Sequence, residues 1–247
     1  MKDLLIIVMA GGLGKRMKSD IPKVLHKVGE EPMLVKILNT AKSMNSKKIM
    51  VVVGKYRDII EKTLKQYISL DNIVFVNQPV SNGTGSAIMC CRDKLENYKN
   101  YNVLVLSGDV PLISNKTLSN TLKDLSNCKI VVTKSDNPHG LGRIVLRKNK
   151  FIKIVEEKDC NDEEKKINLT NTGIYAFNSD ILYKYLPLID NKNAQNEYYL
   201  TDIIEIIKVN ENTDIDMYEI KKENQYELLG VNTKEQLELV NNYYKKK

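Results

Sequence analysis

The sequence predicts an α/β fold of three layers, with a mostly parallel central sheet between helices. Strand-length apolar segments alternate with helical patterns through the first half of the chain, and that alternation builds parallel sheets covered on both faces. Residues 4–10 form an unbroken apolar run, as a strand buried on both faces does. A second apolar run, 103–106, ends in Gly108-Asp109, so a carboxylate sits where open α/β sheets bind ligands, at the C-terminal end of a strand.

Strands are predicted at 4–10, 49–53, 73–76, 102–107 and 129–133, with helices at 32–45, 56–69, 84–96 and 115–126. Pro32 is placed at the first position of its helix, where Met33, Ile37, Leu38, Ala41 and Met44 make one apolar stripe. In the second half, 143–146 and 151–155 flank a polar turn and read as a hairpin. Residues 159–166 read as a charged surface loop, 173–177 and 215–220 as strands, and 179–186, 198–209 and 234–244 as helices. Repeats, low-complexity segments and Gly/Pro/Ser linkers are absent from the sequence, so one domain over 1–247 is expected.

A chain of 247 residues can bury a substantial core. Its net charge is +7, with lysines scattered except at 245–247. Nucleic-acid binding would call for a basic stripe or a recognisable module, and neither is present. The basic balance suits a small, highly anionic ligand. Apolar runs fall far short of the roughly 18–20 residues that cross a bilayer, and the N-terminal run is too short for a signal core. No membrane partner and a cytoplasmic location are therefore expected. Cys90, Cys91, Cys128 and Cys160 lack C-x-x-C spacing and are expected as free thiols in a reducing compartment, the first two inside a helix. His26 and His139 are too few for a zinc site, and no G-x-S-x-G elbow occurs.

The most informative stretch is Met9-Ala10-Gly11-Gly12-Leu13-Gly14-Lys15-Arg16-Met17, followed by Pro22-Lys23-Val24-Leu25. Glycines let a backbone approach a ligand and aim N–H groups at an anion, and Arg16 and Lys23 add full charges. Such a loop suits the phosphates of a nucleoside triphosphate. It is not a Walker A loop, because Met9 stands five residues before Gly14 and Arg16 follows Lys15. It is not a Rossmann fingerprint either, since Gly12-Leu13-Gly14 ends on Met17. The plainer reading is a strand-to-helix turn with surface cations. For Asp109 the plainer reading is a cap before Pro111 or the next helix, and for Asn232 it is the N-cap of the last helix. Gln78 carries both a donor and an acceptor, as a uracil edge requires. Gly83 would let the backbone meet a base, and Thr84 opens a helix.

These residues resemble the nucleoside-diphosphate-sugar pyrophosphorylase family, whose signature is A-G/A-G-x-G-x-R-M followed by P-K. Pro22-Lys23-Val24-Leu25-His26 with Pro32-Met33 is most similar to the uridylyltransferase half of bacterial N-acetylglucosamine-1-phosphate uridylyltransferases. Further strings resemble that branch in order: Gln78 with Gly83-Thr84-Gly85, Leu106 to Leu112 (L-x-G-D-x-P-L), Gly140 to Ile144 (G-x-G-R-I), Ile154 to Asp159, Asn171-Thr172-Gly173-Ile174, Asn193 to Asp202, and Gly230-Val231-Asn232.

The resemblance implies a Rossmann-like nucleotide-diphospho-sugar transferase fold, with a nucleotide half at about 1–135, a sugar half at about 136–230 and a closing helix at about 233–247. It implies uridylyl transfer from UTP to N-acetylglucosamine-1-phosphate. It assigns catalysis to Arg16 and Lys23, and Mg²⁺ to Asp109 and Asn232. Nucleotide contacts fall to Met9, Ala10, Gly11, Gly12, Gly14, Gln78, Gly83, Thr84, Ser107 and Gly108. Amino-sugar contacts fall to Gly142, Glu156, Asn171, Glu197, Tyr199 and Thr201. Lys15, Ser107 and Asn196 depart from the pattern, where Thr, Tyr and Gly are common. Larger members continue into a left-handed β-helix acetyltransferase; this sequence stops at Lys247 without hexapeptide repeats, so uridylyl transfer alone is expected. A nucleotidyltransferase for another base, sugar phosphate or alcohol phosphate is the alternative, and a catalytically silent nucleotide-sugar-binding regulator a further one. The oligomeric state is left open.

Overall fold

The computed structural model describes residues 2–246 apart from the side chain of Lys15; Met1 and Lys247, the ends of the expected domain, lie outside the described residues. Strand β1 (Leu4–Met9) leads through 3₁₀ turns at Lys15–Met17 and Lys23–Leu25 to the short pair β2 (Lys27–Val28) and β3 (Glu31–Pro32). Then come α1 (Met33–Ser43), β4 (Lys48–Val53), α2 (Arg57–Leu64), β5 (Ile73–Asn77), α3 (Thr84–Met89), α4 (Arg92–Leu95), β6 (Asn102–Ser107), α5 (Asn115–Leu122) and β7 (Cys128–Lys134). The second half adds β8 (Arg143–Arg147), β9 (Lys150–Val155), α6 (Asp162–Lys165), β10 (Leu169–Asn178), α7 (Ser179–Tyr185), α8 (Asp202–Asn210), β11 (Asp216–Ile220) and α9 (Lys234–Tyr244).

The main sheet has the order β11-β7-β10-β6-β1-β4-β5, with β8 and β9 extending from β10. Strands β6, β1, β4 and β5 pair in parallel, as does β11 with β7. β10 runs antiparallel between β6 and β7. Alternate residues of β1 face opposite layers. Leu5 and Ile7 pack beneath Ala87, Leu182 and Ile203, while Leu4, Ile6 and Val8 share a core with Leu34, Ile37, Ile60 and Leu118. Helices on both faces of a mostly parallel sheet make the predicted three layers. A smaller core joins Met17, Val28, Met33, Leu112, Val231 and Val240, tying the first loop to the last helix.

Local departures from the expectation have local causes. Pro32 is not the first helical residue: it pairs with Lys27 in β3 and keeps an extended ψ of 144°. The helix expected at 84–96 breaks at Cys90 and Cys91, where the Cys91 N–H bonds to Ile88 O, three residues back, at 2.9 Å. α8 starts at Asp202, four residues later than expected, because Tyr198 lends its backbone to another segment: its N–H donates to Asn82 O (3.1 Å) and its carbonyl accepts from Gly85 N (2.7 Å). The charged 159–166 loop contains a helical turn, closed by a reciprocal cap between Asn161 and Glu164. No helix among the described residues is long and apolar enough to cross a membrane.

Candidate active site

At the end of β1 the chain leaves the sheet through Met9–Gly12, held by Ala10 N–H to Val52 O (2.8 Å) and by Gly108 N–H to Met9 O (2.8 Å). Gly14 has φ +61°, and a Cβ there would lie 2.7 Å from Lys23 Cβ. Only glycine lets the two signature segments press together so closely. Met17 N–H closes the turn on Gly14 O at 2.9 Å, and Met17 is buried in the small third core. That anchor leaves Arg16 exposed, with no ion pair or hydrogen bond to any described residue.

Lys23 is the junction of three elements. Its ammonium donates to Asp109 Oδ2 and to Asn232 Oδ1 (2.9 Å). Ser107 Oγ donates to the other carboxylate oxygen, Asp109 Oδ1, at 2.6 Å. The backbone joins them too, Val231 N–H reaching Asp109 O at 2.9 Å. The capping readings fail for both ligand candidates. Ser114 caps α5, and Thr233, not Asn232, caps α9 in a box with Gln236. Neither Asp109 nor Asn232 is spent on a helix cap, and both turn oxygens toward one cation, the Lys23 ammonium; by its chemistry this hard-oxygen pair also fits a divalent ion supplemented by phosphate oxygens. Among the described residues no group of three or more His, Cys, Asp or Glu is placed to hold a metal.

Gln78 is buried at the end of β5, its amide donating to Gly83 O at 3.2 Å. Gly83 has φ +96°, and a Cβ there would fall 2.3 Å from Tyr198 O, so no other residue fits. Thr84 opens α3, but its hydroxyl accepts from Leu200 N–H (3.0 Å). That bond ties the start of α3 to the 198–200 segment.

Most of the residues expected on the sugar side assemble around the antiparallel strand. Because β10 runs opposite to β6, its beginning, with Asn171, reaches the edge where β6 ends. Asn171 N–H donates to Gly142 O (2.9 Å) and its amide to the Tyr175 hydroxyl (2.7 Å). A Cβ on Gly142 would meet Ile154, Asn171 and Glu156 Oε2 at 3.2–3.5 Å. Thr201 Oγ1 donates to Glu156 Oε1 at 3.0 Å. Burial pushes the Glu156 carboxyl up, Asp159 adds to the shift, and the Thr201 bond opposes it. Tyr199 is buried, its hydroxyl has no partner at hydrogen-bond geometry among the described residues, and burial foremost pushes its pKa up to about 12 beside Gln195 and Asp159. Asn196 has φ +54°, a left-handed conformation that Asn tolerates in place of Gly.

Two cavities meet here. One, about 440 Å³, is lined by Met9, Ala10, Gly11, Gly12, Arg16, Lys23, Gln78, Gly83, Thr84, Ser107 and Asp109. Glu197, expected on the sugar side, lines this cavity. The other, about 680 Å³, is lined by Arg16, Glu156, Glu157, His139, Lys158, Lys165 and Gln195. Arg16 faces both. Gly14, Gly108, Asn232, Gly142, Asn171, Tyr199 and Thr201 do not line either cavity.

Several residues of the site escaped the sequence reading. Ser81 lines the first cavity without any motif signal, and Ala87, which closes the string that begins at Gln78, lines it without having been assigned a contact. Arg143 is 2% exposed and pairs through Nη2 with Glu157 Oε2 at 2.7 Å. Burial raises the Glu157 carboxyl, but the Arg143 guanidinium, the Gly140 backbone and His139 together hold the group below its ordinary value. The arginine of G-x-G-R-I was a visible signal for that pair; its partner was not.

A nucleotidyl transferase family model matches residues 5–226, and the chain belongs to that family. It is 42% identical over 242 residues to a probable UDP-N-acetylglucosamine pyrophosphorylase of Acanthamoeba polyphaga mimivirus, covering 96% of this chain and 94% of that protein. It is also 42% identical over 233 residues to the bifunctional protein GlmU of Helicobacter pylori, covering 93% of this chain but 52% of that one. The chain thus spans about half the length of such bifunctional relatives. A solved UDP-glucose pyrophosphorylase complexed with UDP-glucose has the same fold, with TM-score 0.74, 19% identity and full coverage of both chains.

Proposed function

We propose that this protein transfers a uridylyl group from UTP to N-acetylglucosamine-1-phosphate, giving UDP-N-acetylglucosamine and pyrophosphate. The observation that carries the reading is the pair of cavities sharing Arg16, one walled by Gln78, Gly83, Lys23 and Asp109, the other by Glu156. The 42% identity to the viral pyrophosphorylase, over nearly the full length of both chains, supports the choice of substrates.

The sugar phosphate is already an anionic nucleophile, so the site needs no general base. Its oxygen forms a bond to the α-phosphorus in line as the α–β bridging bond breaks, and the bond electrons leave with pyrophosphate. Catalysis is then positioning and charge neutralisation. Arg16, which has no ion pair or hydrogen bond among the described residues, takes the leaving pyrophosphate, and Lys23 takes the α-phosphate. Met9, Ala10, Gly11, Gly12 and Gly14 shape the phosphate cradle, with Ser107 and Gly108 closing its floor. Gln78 and Gly83 present donor and acceptor atoms to the uracil edge. Gly142, Glu156, Asn171, Glu197, Tyr199 and Thr201 hold the amino sugar, whose hydroxyls are selected by buried polar groups left unpaired with a wrong substrate. Asp109 and Asn232 hold a divalent ion such as Mg²⁺, which supplies charge neutralisation at the phosphates when bound. The whole 1–247 stretch works as one domain in this reading, in a cytoplasmic setting that suits its four free cysteines.

A panel of nucleoside triphosphates and sugar-1-phosphates, assayed by pyrophosphate release, tests the proposal. UTP with N-acetylglucosamine-1-phosphate is expected to give the highest kcat/KM. A preference for another pair moves the reading to a sister nucleotidyltransferase.

A further inference from the structure

The metal ligands proposed above already hold a cation. The Lys23 ammonium bonds both Asp109 Oδ2 and Asn232 Oδ1, and Ser107 Oγ occupies Asp109 Oδ1. Both carboxylate oxygens and the amide oxygen are thus engaged. The arrangement is well enclosed, with the Lys23 and Asp109 side chains 13% and 14% exposed. It is also held from outside the triad. Asn232 N–H is fixed on Gln236 Oε1 (2.7 Å), the segment beside it on Asp109 O, and Lys23 Cβ against Gly14. What can move is the Lys23 side chain beyond Cβ.

We infer that the Lys23 ammonium is the resident cation of the substrate-free site, and that a divalent ion enters only with a polyphosphate that draws the ammonium away. This rests on the uridylyl-transfer reading only for the identity of that polyphosphate. An ammonium and a divalent ion cannot share the same two oxygens, because like charges at contact distance repel strongly in a part-buried site. Lys23 also neutralises the one carboxylate of the ligand pair. A nucleoside triphosphate reverses both effects: its anionic oxygens attract the ammonium and add the ligands that a two-residue site lacks.

The lysine that serves catalysis therefore also keeps the metal out until substrate arrives, so deleting it should improve metal binding. The test is Mn²⁺ binding followed by electron paramagnetic resonance of free Mn²⁺, without substrates and then with UTP. It is run on wild type, Lys23→Ala and the double variant Lys23→Ala/Asp109→Asn. Alanine keeps the Cβ that packs on Gly14, and a thermal melt verifies folding; Lys23→Met serves if the alanine variant fails to fold. Without UTP, Lys23→Ala is expected to bind Mn²⁺ roughly tenfold or more tighter than wild type, the scale of a nearby like charge, and the double variant to lose the gain. UTP is expected to restore tight binding to wild type. Equal Mn²⁺ affinity of wild type and Lys23→Ala without UTP, or a gain that survives Asp109→Asn, overturns the inference. A gain in Lys23→Ala with no effect of UTP on wild type supports the resident lysine and counts against UTP as the substrate, so the two readings fail separately.

Discussion

At the scale of single residues, the two cations proposed to serve catalysis differ in how they are held. Arg16 has no partner among the described residues, whereas Lys23 is bound by Asp109 and Asn232. Both line the first cavity, which is proposed to hold the phosphates. Arg16→Ala, Lys23→Ala and Asp109→Ala are each expected to lower turnover at least ~100-fold, the scale of losing an electrostatic stabiliser. Steady-state kinetics checks this, and near-wild-type turnover in any one removes that residue from the mechanism.

A second residue-scale prediction concerns Asp202. Burial foremost, then the negative charges of Glu156, Asp190, Asp159 and Glu205, raise its pKa to about 6. In the unfolded chain it ionises near its ordinary value of about 3.9. Between those values the folded state holds more protons, so stability falls as pH rises through the window. Asp202→Asn should melt on the order of 2–4 °C above wild type near neutral pH, the gap closing towards about pH 4. Melting curves across pH test this, and a gap independent of pH would contradict it. The motifs made Arg16, Lys23 and Asp109 visible in the sequence. Asp202 was not visible as a perturbed group, because its shift comes from carboxylates on other elements.

At the scale of elements, the glycines of the site divide into those that shape the fold and those that leave room for a ligand. Gly83 sits at φ +96° against the Tyr198 carbonyl, while a Cβ on Gly12 would meet nothing within 4 Å. Gly83→Ala is expected to cost about 1–3 kcal/mol, the scale of a strained backbone position, and to raise KM for UTP. Gly12→Ala should stay within about 0.5 kcal/mol of wild type, as an open surface position does, and raise KM for UTP alone. Thermal melts with UTP saturation curves separate the two; a fold as unstable with Gly12→Ala as with Gly83→Ala would contradict the division. The sequence revealed the element types well, since apolar periodicity is local. It missed the late start of α8 and the break at Cys90 and Cys91. The first depends on Tyr198 bonding to a loop more than a hundred residues away. The plainer reading of Asn232 as a cap, set beside its assignment to a metal, is replaced only by the structure, where Thr233 and Gln236 close that box.

At the scale of the whole molecule, strand order turns scattered motifs into one site. The parallel strands β1, β5 and β6 deliver the cradle, Gln78 and Asp109 to one edge of the sheet. The antiparallel β10 brings Asn171 to the same edge. Three layers and a mostly parallel sheet were legible from the alternation of segments; the direction of β10 was not, because long-range pairing leaves no periodic trace in its own residues. The last helix closes the arrangement by packing Val240 beside Met17 and Val231, so the loop that opens the chain and the Asn232 segment share one small core.

If the two cavities around Arg16 serve one transfer reaction, the wild-type protein, given UTP, N-acetylglucosamine-1-phosphate and a divalent ion, releases pyrophosphate. Release should require both substrates and yield UDP-N-acetylglucosamine in equal amount. Binding of UDP-N-acetylglucosamine with no pyrophosphate released from UTP would contradict that reaction.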